Sequence, residues 1–132
     1  MVNPLSYQGT LIRDFSLTFK EGKVTDFTAK EGQEALELLL NTDEGSRHLG
    51  EVALVPHHSP ISDMGILFYN TLFDENASCH LALGACYPDT LQGGTALSKE
   101  DLMKKGGNDS INHVDFMVGT ADLKITGKRS DG

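Results

Sequence analysis

Apolar residues recur with two different periods along the chain, and the changes of period mark its elements. In FSLTFKEGKVTDFTA, Phe15, Leu17 and Phe19 alternate with polar residues, Gly22 can take the left-handed backbone of a short loop, and Phe27 returns opposite Phe15. That pattern predicts a β-hairpin. GQEALELLLNTDEG switches to helical spacing, with Ala35, Leu36, Leu39 and Leu40 on one face and Gly45 available to close the helix. GEVALVP is a short apolar run holding one carboxylate, Glu51, and reads as a buried strand ended by Pro56. HHSPISDMG is loop chemistry, ILFYNTLF has a period that fits helix or strand, and HLALGACYP reads as a strand. A glycine-containing loop from Pro88 to Ala96 leads into SKEDLMKKG, where Ser98 caps a short helix, Asp101 is its capping-box partner, and Gly106 and Gly107 end it. HVDFMVG and DLKITG are predicted as the last two strands, joined by a tight turn. With no repeat, linker or low-complexity tract, the pattern predicts a single domain over residues 1–132. Its class is α+β, with a mixed, largely antiparallel sheet and two short helices.

Composition narrows what such a domain does. At 132 residues and 39% hydrophobic content the chain can bury a core without disulfides. A formal charge of -8, from 19 acidic against 11 basic residues, argues against nucleic acid, which needs clustered Lys and Arg. No apolar run approaches the roughly 20 residues of a membrane-spanning helix, and MVNPLSYQGT lacks the basic and apolar regions of a signal peptide. The expectation is a soluble, cytoplasmic protein with no membrane partner. A strand through HLALG would place Cys79 and Cys86 on opposite faces, so both are read as reduced, small apolar residues.

The candidate chemistry sits in three segments. On a strand, His113 and Asp115 of HVDFMVG project from one face while Val114, Phe116 and Val118 project from the other, which brings two donor groups to one site. The same pair could instead be a hydrogen-bonded cover on a sheet face. In FDENASCHLALGACYP, Asp74 and Glu75 precede a strand bearing His80, with Tyr87 just beyond; Glu75 and His80 could ligate a metal, or could be a surface acidic loop and a satisfied histidine. Glu51, among Val52, Ala53, Leu54 and Val55, would need a cation or several donors if buried. His48, His57 and His58 read as surface or structural residues, and no nucleophile elbow or phosphate loop is present.

Taken in order, PLSYQGTLI, EGQEALELLLNTDEG, LGEVALVPHHSPIS, ILFYNTLFDENASCHLALG and NHVDFMVG resemble consecutive stretches of the M29 family of thermophilic aminopeptidases, over nearly the whole chain. The resemblance implies metal ligation by Glu51, Glu75, His80, His113 and Asp115, and a catalytic role for Tyr87. It implies an exopeptidase that removes N-terminal residues from peptides, working as a homodimer with two divalent ions such as zinc, cobalt or manganese. Glu51 is then also the candidate base for the attacking water, and Tyr87 the donor to the oxyanion.

The family carries a long N-terminal α/β region and a further glutamate ligand upstream of the segment where this chain begins. The resemblance therefore implies the C-terminal, metal-binding domain of a two-domain metalloprotease, with one ion or none held by the isolated chain and little activity of its own. Two other readings stay open at this level. His80, His113 and Asp115 could form the facial set of a mononuclear non-haem iron oxygenase, or the chain could be an inactive folding and dimerisation module.

Overall fold

A computed structural model describes residues 4–66, 75–119 and 122–129. Within them the chain is α+β, and every strand pairing is antiparallel.

Two hairpins come first. Strands β1 (Leu5–Tyr7) and β2 (Thr10–Ile12) pair around Gln8 and Gly9, both at positive φ. Strands β3 (Ser16–Lys20) and β4 (Lys23–Thr28) turn through Glu21 and Gly22, at φ 51° and 78°. Positive φ at both central residues is the two-residue turn whose twist matches that of the strands it joins. The second hairpin was expected; its register was not. Leu17, not Phe15, lies opposite Phe27. Phe15 precedes the strand and turns into the core, where its ring meets Phe116 edge-on at 5.9 Å.

Helix α1 (Gln33–Leu40) buries Leu36, Leu39 and Leu40. It stops at Asn41 rather than at Gly45, which opens a separate 3-10 turn from Gly45 to Arg47. Gly45 is there for closeness: a Cβ on it would run into the Asp109 carbonyl. Asp43 ties this corner together. Its carboxylate accepts from the Ser46 and Ile111 amides and the Ser46 and Ser110 hydroxyls. Those hydrogen bonds outweigh partial burial and lower its pKa to about 2.

Strands β5 (Leu49–Ala53), β6 (His80–Gly84) and β7 (His113–Met117) form the largest sheet, with β6 in the centre. One face carries Leu83 and Phe116 into a core shared with Leu5, Ile12, Phe15, Val24, Leu36, Leu39 and Leu40. The sequence predicted β5 as fully buried. Instead Val52 and, just past the strand, Leu54 are 63% and 67% exposed, and among the described residues β5 has a neighbour on one side only.

HHSPISDMG holds a helical turn, α2 (Pro60–Asp63), where a loop was expected. Pro60 opens it, and the Ser59 hydroxyl accepts from the Ser62 amide. Helix α3 (Lys99–Lys104) follows its predicted Ser98 cap, although Asp101 bonds the Ser98 hydroxyl rather than its backbone. DLKITG forms no strand. Leu123 and Ile125 stay about half exposed, and the residues around them add no rung to the β7 edge. The ILFYNTLF segment lies largely outside the described residues. Cys79 and Cys86 are free thiols, as expected. Among the described residues no helix is long and apolar enough to cross a membrane.

Candidate metal centre

The face of the β5–β7 sheet turned away from the core collects the polar residues of three distant segments. Period-two alternation puts His113 and Asp115 of β7 on that face, as predicted, while Val114 and Phe116 face the core. His80 and Ala82 come from β6. Glu51 and Asp115 both pair with Ala82, so the two carboxylates flank a buried methyl group in one cross-strand row. A register shift between Leu49 and Glu51 makes this possible. Leu49 pairs with Leu83, Glu51 pairs with Ala82, and Gly50 is the extra residue of a bulge.

The side-chain ends converge. Glu51 Oε1 lies 3.3 Å from His80 Nε2, and Glu51 Oε2 lies 3.2 Å from His113 Nε2. His113 Nε2 is also 3.5 Å from Asp115 Oδ1. Donor atoms of Glu51, His80 and Asp115 all fall within 4.8 Å of one another. His80 and Asp115 are buried, and Glu51 and His113 are partly so.

Each imidazole is oriented from behind. His80 Nδ1 lies 3.1 Å from the Ser78 carbonyl, and His113 Nδ1 lies 2.7 Å from the Ala85 carbonyl. A carbonyl can only accept, so each Nδ1 carries the proton and each Nε2 is turned toward the shared site. This is the outer-shell arrangement by which proteins aim histidine at a metal. Two further observations fit a cation. Neutral imidazoles would bring Nε2 lone pairs against the Glu51 carboxylate, and among the described residues Asp115 Oδ1 is buried with no hydrogen-bond partner. A divalent ion among these atoms would answer both, and oxygen with imidazole is a donor set that zinc and its neighbours accept.

Glu75 stands in a 3-10 turn before β6, and its interactions place it beside the cluster. Burial, then the charge of Asp115 and a hydrogen bond shared with that carboxylate, raise its pKa to about 7, with His80 opposing and Glu51 adding to the rise. Tyr87 is half exposed at the rim, its ring tilted against that of His113 at 4.6 Å. Burial of its hydroxyl and the charges of Asp115, Glu51 and Glu75 push its pKa upward.

Glu51, Glu75, His80, Tyr87, His113 and Asp115 thus lie around one place, while Asp74 falls outside the described residues. His57 and His58 do not join them: their exposed rings meet each other, and His58 pairs with Asp63 at 3.1 Å. Sequence reasoning missed Gly50, Ala82 and the two orienting carbonyls. Only Gly50 left a trace there, as a glycine inside a strand pattern.

The thermophilic metalloprotease (M29) family model matches residues 1–132. Over 98% of the chain, aminopeptidase 2 of Geobacillus stearothermophilus is 60% identical and aminopeptidase AmpS of Bacillus subtilis 56% identical. The chain spans 31% and 32% of their lengths, about a third of each. The solved structure of wild-type AmpT from Thermus thermophilus superposes on 89% of the chain with a TM-score of 0.77 at 47% identity, using 28% of that protein. With the whole length matched by the family model and the fold shared with a solved relative, the chain belongs to the M29 family of thermophilic metalloproteases.

Proposed function

We propose that this chain is the metal-binding part of an aminopeptidase that removes N-terminal residues from peptides. The observation that carries the reading is the convergence of Glu51, His80, His113 and Asp115 on one point, with both imidazoles turned inward. Glu51, His80, His113, Asp115 and Glu75 would hold two divalent ions of the zinc, cobalt or manganese type. Such ions supply Lewis acidity for the scissile carbonyl and lower the pKa of the attacking water toward neutrality.

The chain's own groups then divide the remaining work. A carboxylate must take the proton of that water. Glu51 is the base that the family resemblance implies, but both its oxygens face imidazoles. Glu75 stands beside the cluster as the other carboxylate available for that proton, and its pKa of about 7 belongs to the metal-free site. Tyr87, at the rim with its ring against His113, offers a hydroxyl that can donate to the oxyanion of the tetrahedral intermediate. Family membership supports peptide hydrolysis over the iron-oxygenase alternative.

The whole protein, as we read it, is a cytoplasmic homodimer in which a second domain completes the ligand set and walls off the substrate. The isolated chain would accordingly turn over little or no substrate. Assaying the isolated chain and the whole protein side by side on a leucine anilide, with excess zinc, cobalt or manganese, tests both statements. The expected result is metal-dependent turnover by the whole protein alone. An inactive whole protein would remove the function, and comparable turnover by the two would show that the second domain is not needed.

A further inference from the structure

Gly50 contributes no functional group, yet it touches the machinery of two site residues. It is the extra residue of the β5 bulge, immediately before Glu51. Were Gly50 to pair in regular register with Ala82, Glu51 would move on to Leu81 and its side chain would turn to the core face. Gly50 also lies against the end of β6. A Cβ built on it would collide with the carbonyls of both Gly84 and Ala85. The Ala85 carbonyl is the one that accepts from His113 Nδ1. That stretch of backbone cannot easily retreat, because the Gly84 amide donates to the His48 carbonyl at 2.8 Å and the Ala85 amide to the Asn112 carbonyl at 2.7 Å.

We propose that Gly50 is a positioning residue for the metal centre. It turns Glu51 onto the site face, and its missing side chain makes room for the carbonyl that fixes the tautomer of His113. A metal-site role for Glu51 and His113 rests on the function proposed above. The positioning itself belongs to the metal-free protein. The backbone φ of Gly50 is not among the positive ones, so space rather than torsion demands glycine here. His80 provides an internal control, since its orienting carbonyl, Ser78, lies at the opposite end of β6 from the bulge.

The test is long-range nitrogen–proton NMR of the imidazoles in metal-free protein, on the wild type and Gly50→Ala. In the wild type both His80 and His113 should show the Nδ1–H tautomer. In a folded Gly50→Ala, His113 should lose that single tautomer while His80 keeps it. An unchanged His113 in the folded variant, or an Nε2–H His113 in the wild type, would overturn the proposal. Should Gly50→Ala not fold, deletion of Gly50 replaces it, since this removes the extra residue without adding an atom near Ala85. The deletion leaves Leu49 opposite Leu83 and Glu51 opposite Ala82 in regular register, so both histidines should keep the Nδ1–H tautomer; a His113 that loses it with no side chain added would overturn the proposal. A parallel zinc titration keeps the two ideas apart. Saturable binding by the wild type that weakens roughly 10- to 100-fold in the variant is expected. No zinc binding by the wild type would count against the metal reading and leave the tautomer result to decide on Gly50.

Discussion

Glu51 and Asp115 come from the two strands that flank β6 and face each other across the same residue, Ala82, whose side chain is fully buried. The small methyl group between them leaves the space into which His80 and His113 aim their Nε2 atoms. A larger side chain would fill it. Ala82→Val should therefore weaken zinc binding as measured by calorimetry, and should cost about 1–3 kcal/mol of stability through overpacking. Unaltered zinc affinity in the variant would mean that the space beside Ala82 is not the one an ion occupies.

Glu75 makes the metal-free protein sensitive to pH in a defined direction. Its folded pKa of about 7 lies above the ordinary value of 4.5, so between these values the folded state holds the proton more often than the unfolded state. Stability from this group is fully present below pH 4.5 and is lost as pH rises to about 7. Glu75→Gln should flatten that part of the Tm profile, and a saturating divalent ion should raise Tm most at the upper end of the window. A variant profile parallel to that of the wild type would show that Glu75 does not crowd the other carboxylates.

Asp43 acts in the opposite direction, at the corner where it binds Ser46, Ser110 and Ile111. Its pKa of about 2 lies below the ordinary 3.8, so the stability it adds is present above pH 3.8 and is lost as pH falls toward 2. Asp43→Ala strands the Ser46 and Ile111 amides and should cost about 1–3 kcal/mol in urea unfolding at neutral pH. Zinc affinity should change less than stability.

Tyr87→Phe removes a hydroxyl and little else, since the ring packs on His113 at 4.6 Å and Tyr87 is half exposed. In the whole protein it should lower kcat by about 10²–10³-fold, with KM and metal content nearly unchanged. A fall in metal content instead would make Tyr87 a support for His113 rather than a donor to the oxyanion.

Much of this was legible because local chemistry and tertiary structure agree. Alternation in HVDFMVG placed His113 and Asp115 together, and a carboxylate inside GEVALVP marked Glu51 as a residue in need of a partner. What escaped depends on pairing between segments. Nothing local says that β5 pairs on one side only among the described residues, so the exposure of Val52 and Leu54 could not be foreseen. The position of Phe27 opposite Leu17 accompanies a register shift at Thr18 and Phe19 that alternation alone does not reveal. The last segment, DLKITG, has strand-like alternation but gains no partner at the β7 edge. The orienting carbonyls of Ser78 and Ala85 are backbone atoms, which no residue type announces.

The central claim is that Glu51, His80, His113 and Asp115, with Glu75 beside them, are metal ligands. Anomalous diffraction from crystals of this chain grown with zinc tests it most directly, because the signal locates each ion independently of the protein map. The account predicts at least one peak among these side chains, with His80 and His113 bound through Nε2 at about 2.0–2.1 Å and carboxylate oxygens at about 2.0–2.2 Å. Fully loaded crystals with no peak there, or with zinc at other residues alone, would contradict it.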